Sequence, residues 1–283
     1  MQAAGGNVAP ATLQYHTKFY AALQDANLLS KIVRLNTFSG TTLDSALIPL
    51  IPGSGYASEQ KSTTAMYLDS NLGPAFTGTY TEASGITQST GYLITGQRIS
   101  RVNFSDSTSA FSNGQNLHMS IFVMGAIPTS GRIMGVFRGA VYQRHYMMSE
   151  GSGSFGWGNN QASIPAGFAS AGPGFFAASG TLNRYTRCSS AYDCTSSSFS
   201  PDGTVPSDWP VNIFSVGGSD TGVSTERYWG NGIVSSGTRV AGYSIGYALT
   251  QAEVNALSVA FWSLFGRCGK PERSYAERSA DAF

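Results

Sequence analysis

The chain has 283 residues, of which 41% are hydrophobic, 12% aromatic and only 12% charged, and its 17 basic and 16 acidic side chains leave a net charge of +1. This hydrophobic content excludes a disordered chain, and the thinly spread charge provides no basic stripe that could capture nucleic acid. The sequence contains no run of about 20 apolar residues, so we expect no transmembrane helix and no membrane insertion.

The first predicted element is a helix over residues 12–29. Mostly apolar and aromatic side chains recur there at spacings of three and four residues, which places them on one helical face. The residues of this face are Leu13, His16, Phe19, Tyr20 and Leu23. We therefore expect an N-terminal segment, residues 1–45, that contains this helix.

The middle of the chain is a succession of short segments with strand character, each bounded by Gly, Pro, Asn, Asp or Ser, as in an all-β domain. The predicted strands are residues 119–124, 133–137, 140–148, 155–157, 175–178, 182–187, 213–216 and 240–247. Their spacing is too short for crossover helices, which favours two stacked antiparallel sheets. Two less regular stretches, residues 151–180 and 188–208, are predicted to be long surface loops.

A second helix is predicted near the end of the chain. Thr250, followed three residues later by Glu253, forms a capping box, which is the sequence signature of a helix N-terminus. This helix, residues 250–265, closes a predicted domain of residues 46–269. Residues 270–283 have no core pattern, and we expect them to form a C-terminal arm.

Three blocks of the sequence carry a family resemblance: residues 19–35 (FYAALQDANLLSKIVRL), 85–96 (GITQSTGYLITG) and 240–266 (VAGYSIGYALTQAEVNALSVAFWSLFG). They resemble the opening helix, an entry strand, and the closing strand with final helix of the concanavalin A-like lectin/glucanase domains in structural proteins of tailed bacteriophages. The resemblance implies an all-β, two-sheet antiparallel jelly-roll sandwich with a short N-terminal helix and a C-terminal helix. It also implies a virion component, either a tail or receptor-contacting protein or a head decoration protein.

The three cysteines leave two redox states open. Cys188 and Cys194 are close enough in sequence to clip a loop tip in an oxidising compartment, and Cys268 would then be left over. Residues 1–10 lack the charged and apolar regions of a secretory signal, so we take free thiols as the default. No His lies near Cys188 and Cys194 in sequence, and we expect no metal ion or other cofactor.

Glucanases on this scaffold carry a Glu-x-Asp-x-x-Glu strand, because retaining hydrolysis needs two carboxyl groups about 5–5.5 Å apart. The seven glutamates of this chain are Glu59, Glu82, Glu150, Glu226, Glu253, Glu272 and Glu277. They are isolated from one another and no such motif occurs. Asp220 and Glu226 are the nearest interesting pair, and a hydrated loop is the simpler interpretation. We therefore expect no catalytic residues and a protein that is not an enzyme.

Two clusters have the composition of a glycan site. Sugar rings present apolar faces and hydroxyl rims, so their sites combine an aromatic platform with polar donors and acceptors. The candidate ligand-binding residues are Trp157 with Asn159 and Asn160, and Tyr228 with Trp229 and Asn231. The alternative is that these aromatic residues belong to the core or to turns.

The leading functional hypothesis is a non-enzymatic virion protein, assembled in the host cytoplasm and repeated or homo-oligomeric among other capsid or tail subunits. Its N-terminal segment and its arm, residues 270–283, would attach it to those subunits. A soluble carbohydrate-binding lectin module, which would bind a host-surface glycan, is the first alternative. A divergent glycoside hydrolase is the second, and polysaccharide hydrolysis that is lost on Glu226→Gln would favour it.

Overall fold

The computed structural model describes residues 10–53, 55–63, 75–82, 85–98, 117–124, 133–138, 143–148, 157–159, 173–179, 184–198, 210–214, 216–219, 227–229 and 239–265. The helices in these residues are α1 (Pro10–Asp25), α2 (Leu43–Ala46) and α3 (Gln251–Phe265). None of them is long and apolar enough to cross a membrane.

The strands of the described residues form two sheets, which we call sheet A and sheet B. The strands of sheet A are β1 (Ile32–Asn36), β3 (Thr77–Thr81), β4 (Gly85–Thr90), β6 (Leu117–Val123), β10 (Gly174–Ser179), β11 (Arg184–Cys188), β12 (Cys194–Ser198) and β16 (Arg239–Tyr247). The strands of sheet B are β2 (Gln60–Lys61), β5 (Leu93–Arg98), β7 (Met134–Arg138), β8 (Gln143–Met148), β9 (Trp157–Asn159), β13 (Pro210–Ile213), β14 (Val216–Ser219) and β15 (Arg227–Trp229).

Sheet A has the order β12-β11-β10-β6-β16-β4-β3, and β1 also pairs with β16. Sheet B has the order β15-β14-β7-β13-β5-β2, and β8 lies between β7 and β9. The pairings are antiparallel except for β7 with β14, which run parallel. The predicted all-β class, two antiparallel sheets with a helix near each end, is confirmed.

The centre of sheet A is covered on both faces. Strand β6 is buried along its whole length. Its Met119 and Ile121 belong to the hydrophobic core shared with sheet B, whereas Phe122 belongs to the core beneath the helices. A nearly continuous apolar run predicts this arrangement, because a strand covered on both faces needs no polar side. The described residues therefore form three layers, with α1 and α3 on one face of sheet A and sheet B on the other.

Aromatic packing holds the helices on sheet A. The ring of Phe261 in α3 lies 5.4 Å from Phe19 of α1 and 5.5 Å from Phe175 of β10, measured between ring centroids. All three side chains are buried. Full burial of one such side chain contributes about 1.5–3 kcal/mol, so the terminal helices are part of the folded unit.

The two predicted helices are present, with changed bounds for the first. The capping box of α3 forms as predicted, because the Thr250 backbone N–H donates to Glu253 Oε2 at 2.7 Å and the Glu253 N–H donates to Thr250 Oγ1 at 3.3 Å. The N-terminal helix begins at Pro10 and ends at Asp25, and not at 29 as predicted. Asn27, which has a positive φ of 57°, then turns the chain into β1.

Sequence reasoning was wrong about two stretches. Residues 188–208 are predicted to be a surface loop, yet β12 lies within them and extends sheet A. The single strand predicted at residues 213–216 is divided into β13 and β14, because Phe214 adopts a positive φ of 65° that no strand permits. The predicted N-terminal segment, residues 1–45, also contributes β1 to sheet A.

Candidate functional site

The two predicted glycan clusters lie on different strands of sheet B. Trp157 and Asn159 are in β9, whereas Tyr228 and Trp229 are in β15. Three strands separate them, in the order β15-β14-β7-β8-β9. Neighbouring strands lie about 4.8 Å apart, so four such steps separate the clusters by roughly 19 Å. The remaining candidates, Asn160 and Asn231, lie outside the described residues.

The register aligns the two clusters across the sheet. Asn159 pairs with His145, His145 with Val136, Val136 with Gly217, and Gly217 with Tyr228. These five residues form one row from β9 to β15. The clusters are therefore two separate candidate sites. A ligand that contacted both would have to extend along this row of paired residues.

A buried polar network among the described residues joins sheet A to the segment that leads into sheet B. Arg34 of β1 and Glu59 form an ion pair of 3.1 Å, and neither side chain is exposed. The Arg34 Nε–H donates to the hydroxyl of Tyr243 in β16 at 2.9 Å. The hydroxyl of Tyr243 donates to Glu59 Oε1, and Asn36 Nδ2 donates to the same oxygen at 3.3 Å. Three donors thus converge on one carboxylate oxygen, which suits an ionised Glu59.

Burial governs the ionisation of this network. It raises the pKa of Glu59 above its usual value, although the positive charge of Arg34 and three hydrogen bonds draw it back. Burial also raises the pKa of Tyr243 well above its usual value, so its hydroxyl keeps the proton that it donates. Because the side chains of Arg34, Glu59 and Tyr243 are buried, the network offers no surface to a substrate.

Arg34 also holds the segment that runs from Pro52 to Glu59. Its two terminal nitrogens donate to the backbone carbonyls of Pro52 and Tyr56, the second at 3.0 Å. A Cβ atom at Gly55 would meet the Arg34 guanidinium and the backbone of β5, so only glycine permits this approach. The buried guanidinium of Arg34 therefore holds the backbone of residues 52–59 in place.

This segment carries a half-exposed aromatic ring. Tyr56 is 47% exposed, and its backbone N–H donates to the Thr95 carbonyl of β5 at 3.1 Å. Gly96 has a positive φ of 69°, and a Cβ atom there would lie 2.6 Å from the Tyr56 ring. The ring therefore rests on the bare backbone of β5, and the exposed part of it faces solvent. Sequence reasoning missed Tyr56, because nothing in its local pattern distinguishes it from other tyrosines.

A second buried polar chain lies between β6 and β16. His118 Nδ1 is 2.6 Å from the Tyr247 carbonyl oxygen, which can only accept, so Nδ1 carries the hydrogen. His118 Nε2 then accepts from Ser244 Oγ at 3.0 Å, and Ser244 Oγ in turn accepts from Ser120 Oγ at 2.6 Å. Burial lowers the pKa of His118 to about 4, so the ring is neutral at pH 7. His118 is fully buried and reaches no surface.

A disulfide closes the tip of the β11–β12 hairpin. Cys188 and Cys194 are bonded, with their Cα atoms 4.0 Å apart. The free-thiol prediction is therefore wrong for this pair, and Cys268 lies outside the described residues. Within the tip, the Ser189 N–H donates to the Asp193 carbonyl at 3.0 Å, and Tyr192 is 83% exposed.

The remaining predicted carboxylates give no paired site in the described residues. Glu253 forms an ion pair of 2.6 Å with Lys31, and Asp220 and Glu226 lie outside those residues. No group of three or more His, Cys, Asp or Glu side chains within the described ranges could hold a metal ion.

Comparison with known proteins identifies no family. No family model matches the chain, and no curated protein matches it. Among solved structures, the chain is similar to domain 4 of AbnA, a GH43 extracellular arabinanase from Geobacillus stearothermophilus, solved in complex with arabinotriose. The identity is 12% and the TM-score is 0.43, over 81% of this chain and 98% of that one. A similarity at this level assigns neither a ligand nor an activity to this chain.

Proposed function

We propose that this protein is a non-enzymatic structural component of a tailed-bacteriophage virion, in which a concanavalin A-like sandwich contacts other subunits or a host surface. The proposal is carried by the three sequence blocks that resemble such domains. Residues 19–35 contain the end of α1 and most of β1, residues 85–96 contain β4, and residues 240–266 contain most of β16 and all of α3. Blocks separated by up to about 200 residues in sequence are therefore candidates for one packed unit.

The three blocks meet in space. Both β1 and β4 pair with β16, where Leu35 stands opposite Ser244 and Ile86 opposite Val240. Phe19 of the first block packs against Phe261 of the third. The buried hydrophobic residues of the first block belong to the core beneath the helices, those of the second to the core between the sheets, and those of the third to both, so the third block connects the other two in one folded unit.

The covalent chemistry of the surface agrees with a particle that leaves the cell. Disulfides persist on virions and other extracellular proteins, and are rare in the reducing cytosol. Cys188 and Cys194 close a hairpin tip that carries the exposed Tyr192, and Cys188 is buried in the core beneath the helices.

The test is incorporation into particles. The full chain and a truncation that ends at Gly269 would be produced in the infected host, and purified particles would be analysed by mass spectrometry. The proposal predicts that the full chain co-purifies with particles, and that the truncation folds but does not. Absence of the full chain from purified particles would overturn the proposal. Normal incorporation of the truncation would refute the attachment role of residues 270–283.

Carbohydrate binding is the second candidate, and Tyr56 is the specific observation that favours it. A ring held on the Gly96 backbone is fixed before a ligand arrives, which lowers the entropic cost of stacking a sugar on it. Gln60 and Ser58, four and two residues further along, supply amide and hydroxyl groups in the same segment. This composition is typical of a neutral saccharide site.

A glycan array separates this candidate from the first. The array would be probed with the wild type and with Trp157→Ala, Trp229→Ala and Tyr56→Ala, and Tyr20→Ala serves as a matched control because Tyr20 is 43% exposed on α1. Binding that only Tyr56→Ala abolishes would assign the site to this segment. Binding lost with either tryptophan would assign it to β9 or β15. A wild type that binds no glycan removes this candidate and leaves the virion proposal untouched.

A further inference from the structure

The last strand of sheet A, β12, differs from the other edges of the two sheets. Exposed edge strands usually carry a device against unwanted pairing, such as a bulge, a charged residue, Pro or very short length. Strand β3 has a bulge between Thr77 and Gly78, and β9 has three residues and pairs through a bulge. Strand β2 has two residues, one of which is Lys61, and β15 has three, one of which is Arg227.

Strand β12 has none of these devices. Its sequence is CTSSS, without charge or Pro, and its register with β11 runs from Cys188–Cys194 to Arg184–Ser198 without a shift. Thr195 and Ser196 are exposed. Among the strands that the structure describes, β12 has one neighbour, β11. Its other edge is therefore straight and uncharged.

The hydrogen bond at the hairpin tip shows which residues of β12 direct their backbone N–H and C=O groups away from β11. The Ser189 N–H donates to the Asp193 carbonyl at 3.0 Å, one position beyond the Cys188–Cys194 pair. Hydrogen-bonded and non-hydrogen-bonded pairs alternate along an antiparallel ladder, so Cys188–Cys194 is a non-hydrogen-bonded pair. The Cα separation of 4.0 Å agrees with this, because the two Cα atoms are closer in such pairs.

The same alternation continues along the strand. Thr195 and Ser197 bond to β11, whereas Cys194, Ser196 and Ser198 direct their backbone N–H and C=O groups away from it. On the face that packs against α3, Ser196 Oγ also lies 2.9 Å from Thr186 Oγ1 and donates to Gln251 Oε1 at 3.1 Å. The strand is thus held in place on one side and presents three regularly spaced sets of donors and acceptors on the other.

We propose that this edge pairs with the same edge of a second copy of the chain. The outward residues are symmetric about Ser196, so an antiparallel two-fold arrangement places Ser196 opposite Ser196 of the second copy. Cys194 then stands opposite Ser198, and every outward group of one strand meets an outward group of the other. A two-fold contact of this kind is self-complementary, and it joins two copies of sheet A into one continuous sheet.

A second copy fits this edge because charge does not oppose it. The strand is uncharged and the whole chain has a net charge of only +1. Ser and Thr side chains also pair favourably across antiparallel strands. The inference concerns the chain itself and does not depend on whether the chain belongs to a virion.

The test compares Ser196→Pro with Ser196→Ala by sedimentation velocity over a range of protein concentrations. Both variants lose the same hydroxyl, but only proline removes the outward N–H, and an edge strand tolerates proline where its N–H faces solvent. We expect the wild type and Ser196→Ala to associate to dimers. Ser196→Pro should dimerise at least about tenfold more weakly, since two buried acceptors lose their donors at the two-fold axis.

Hydrogen exchange of the wild type gives a readout that needs no variant. The amides of Ser196 and Ser198 should exchange quickly in dilute solution and become protected as the protein concentration rises. Those of Thr195 and Ser197 should be protected at both concentrations. A wild type that stays monomeric, equal dimerisation of the two variants, or exchange at Ser196 that is independent of concentration would each overturn the proposal.

Discussion

Removing Arg34 should destabilise the protein severely, because it leaves the buried carboxylate of Glu59 without its ion-pair partner. In Arg34→Met, Glu59 would remain buried but would lose its ion pair of 3.1 Å. The backbone carbonyls of Pro52 and Tyr56 would lose the hydrogen bonds that Arg34 donates. Breaking a buried ion pair by removing one partner costs about 3–5 kcal/mol. With an unfolding entropy of about 2.1 cal/mol/K per residue over 283 residues, that loss corresponds to a decrease in Tm of roughly 5–8 °C.

The pH dependence identifies the cause of the loss. Burial already raises the pKa of Glu59, and loss of the Arg34 charge raises it further. A carboxyl group whose pKa is raised in the folded state favours folding below its unfolded pKa, and this contribution is lost as the pH rises through the folded pKa. The deficit of Arg34→Met relative to the wild type should therefore be largest at neutral pH and should shrink as the pH falls towards about 4.3, the ordinary pKa of Glu.

Urea denaturation at several pH values, with the single variants and the double variant Arg34→Met/Glu59→Gln, measures these terms. The double variant should recover part of the lost stability at pH 7, because no charge remains buried without a partner. Lys61→Met is the matched control, since it breaks an exposed ion pair of 2.6 Å with Asp44 and should cost less than about 1 kcal/mol. An Arg34→Met deficit as small as that of the control, or one that does not vary with pH, would refute the reasoning.

Three further predictions concern other parts of the core. Burial lowers the pKa of His118 to about 4 from its ordinary 6.5. The contribution of neutral His118 to stability is therefore present above pH 6.5 and is lost as the pH falls towards 4. Over this window, the free energy of unfolding measured by urea titration should decrease by up to about 3 kcal/mol more in the wild type than in His118→Gln. The double variant Cys188→Ser/Cys194→Ser should lose about 2 kcal/mol under non-reducing conditions, and adding a reductant should lower the Tm of the wild type but not that of the variant. Phe261→Ala should cost about 3–5 kcal/mol, and a loss below about 1 kcal/mol in denaturant titration would contradict its position between α1 and β10.

Local periodicity predicts the elements whose packing is simple. Strand β6 is apolar on both faces because both faces are covered, and α3 begins where its capping box predicts. Strand β12 escapes prediction, since the same Ser-rich sequence suits a solvated loop equally well. Its strand state comes from β11, and within β12 Cys194, by its spacing to Cys188, is the residue that indicates this partner in the sequence.

The sequence does not predict the contacts of the buried Arg34 network, because its members are far apart in the chain. Arg34 and Glu59 are 25 residues apart, and Tyr243 lies a further 184 residues along the chain. No spacing rule connects such residues, because the pairing of β1 with β16 brings Arg34 close to Tyr243, and the segment that leads into β2 adds Glu59. The disulfide differs: its spacing shows that a bond is feasible, whereas the redox state depends on the surroundings of the protein.

The small number of charged residues in the chain affects both its interior and its sheet edges. Only 33 side chains are charged, 17 basic and 16 acidic, and the Arg34–Glu59 pair places two of them in the interior. Charged residues are one of the means by which proteins keep sheet edges apart, with bulges, Pro and short length, and an edge that has none of them is unprotected. The uncharged β12 is such an edge, and the glycine-lined segment around Tyr56 is another uncharged surface. A partner that contacted either place would therefore meet mainly backbone and neutral side-chain groups.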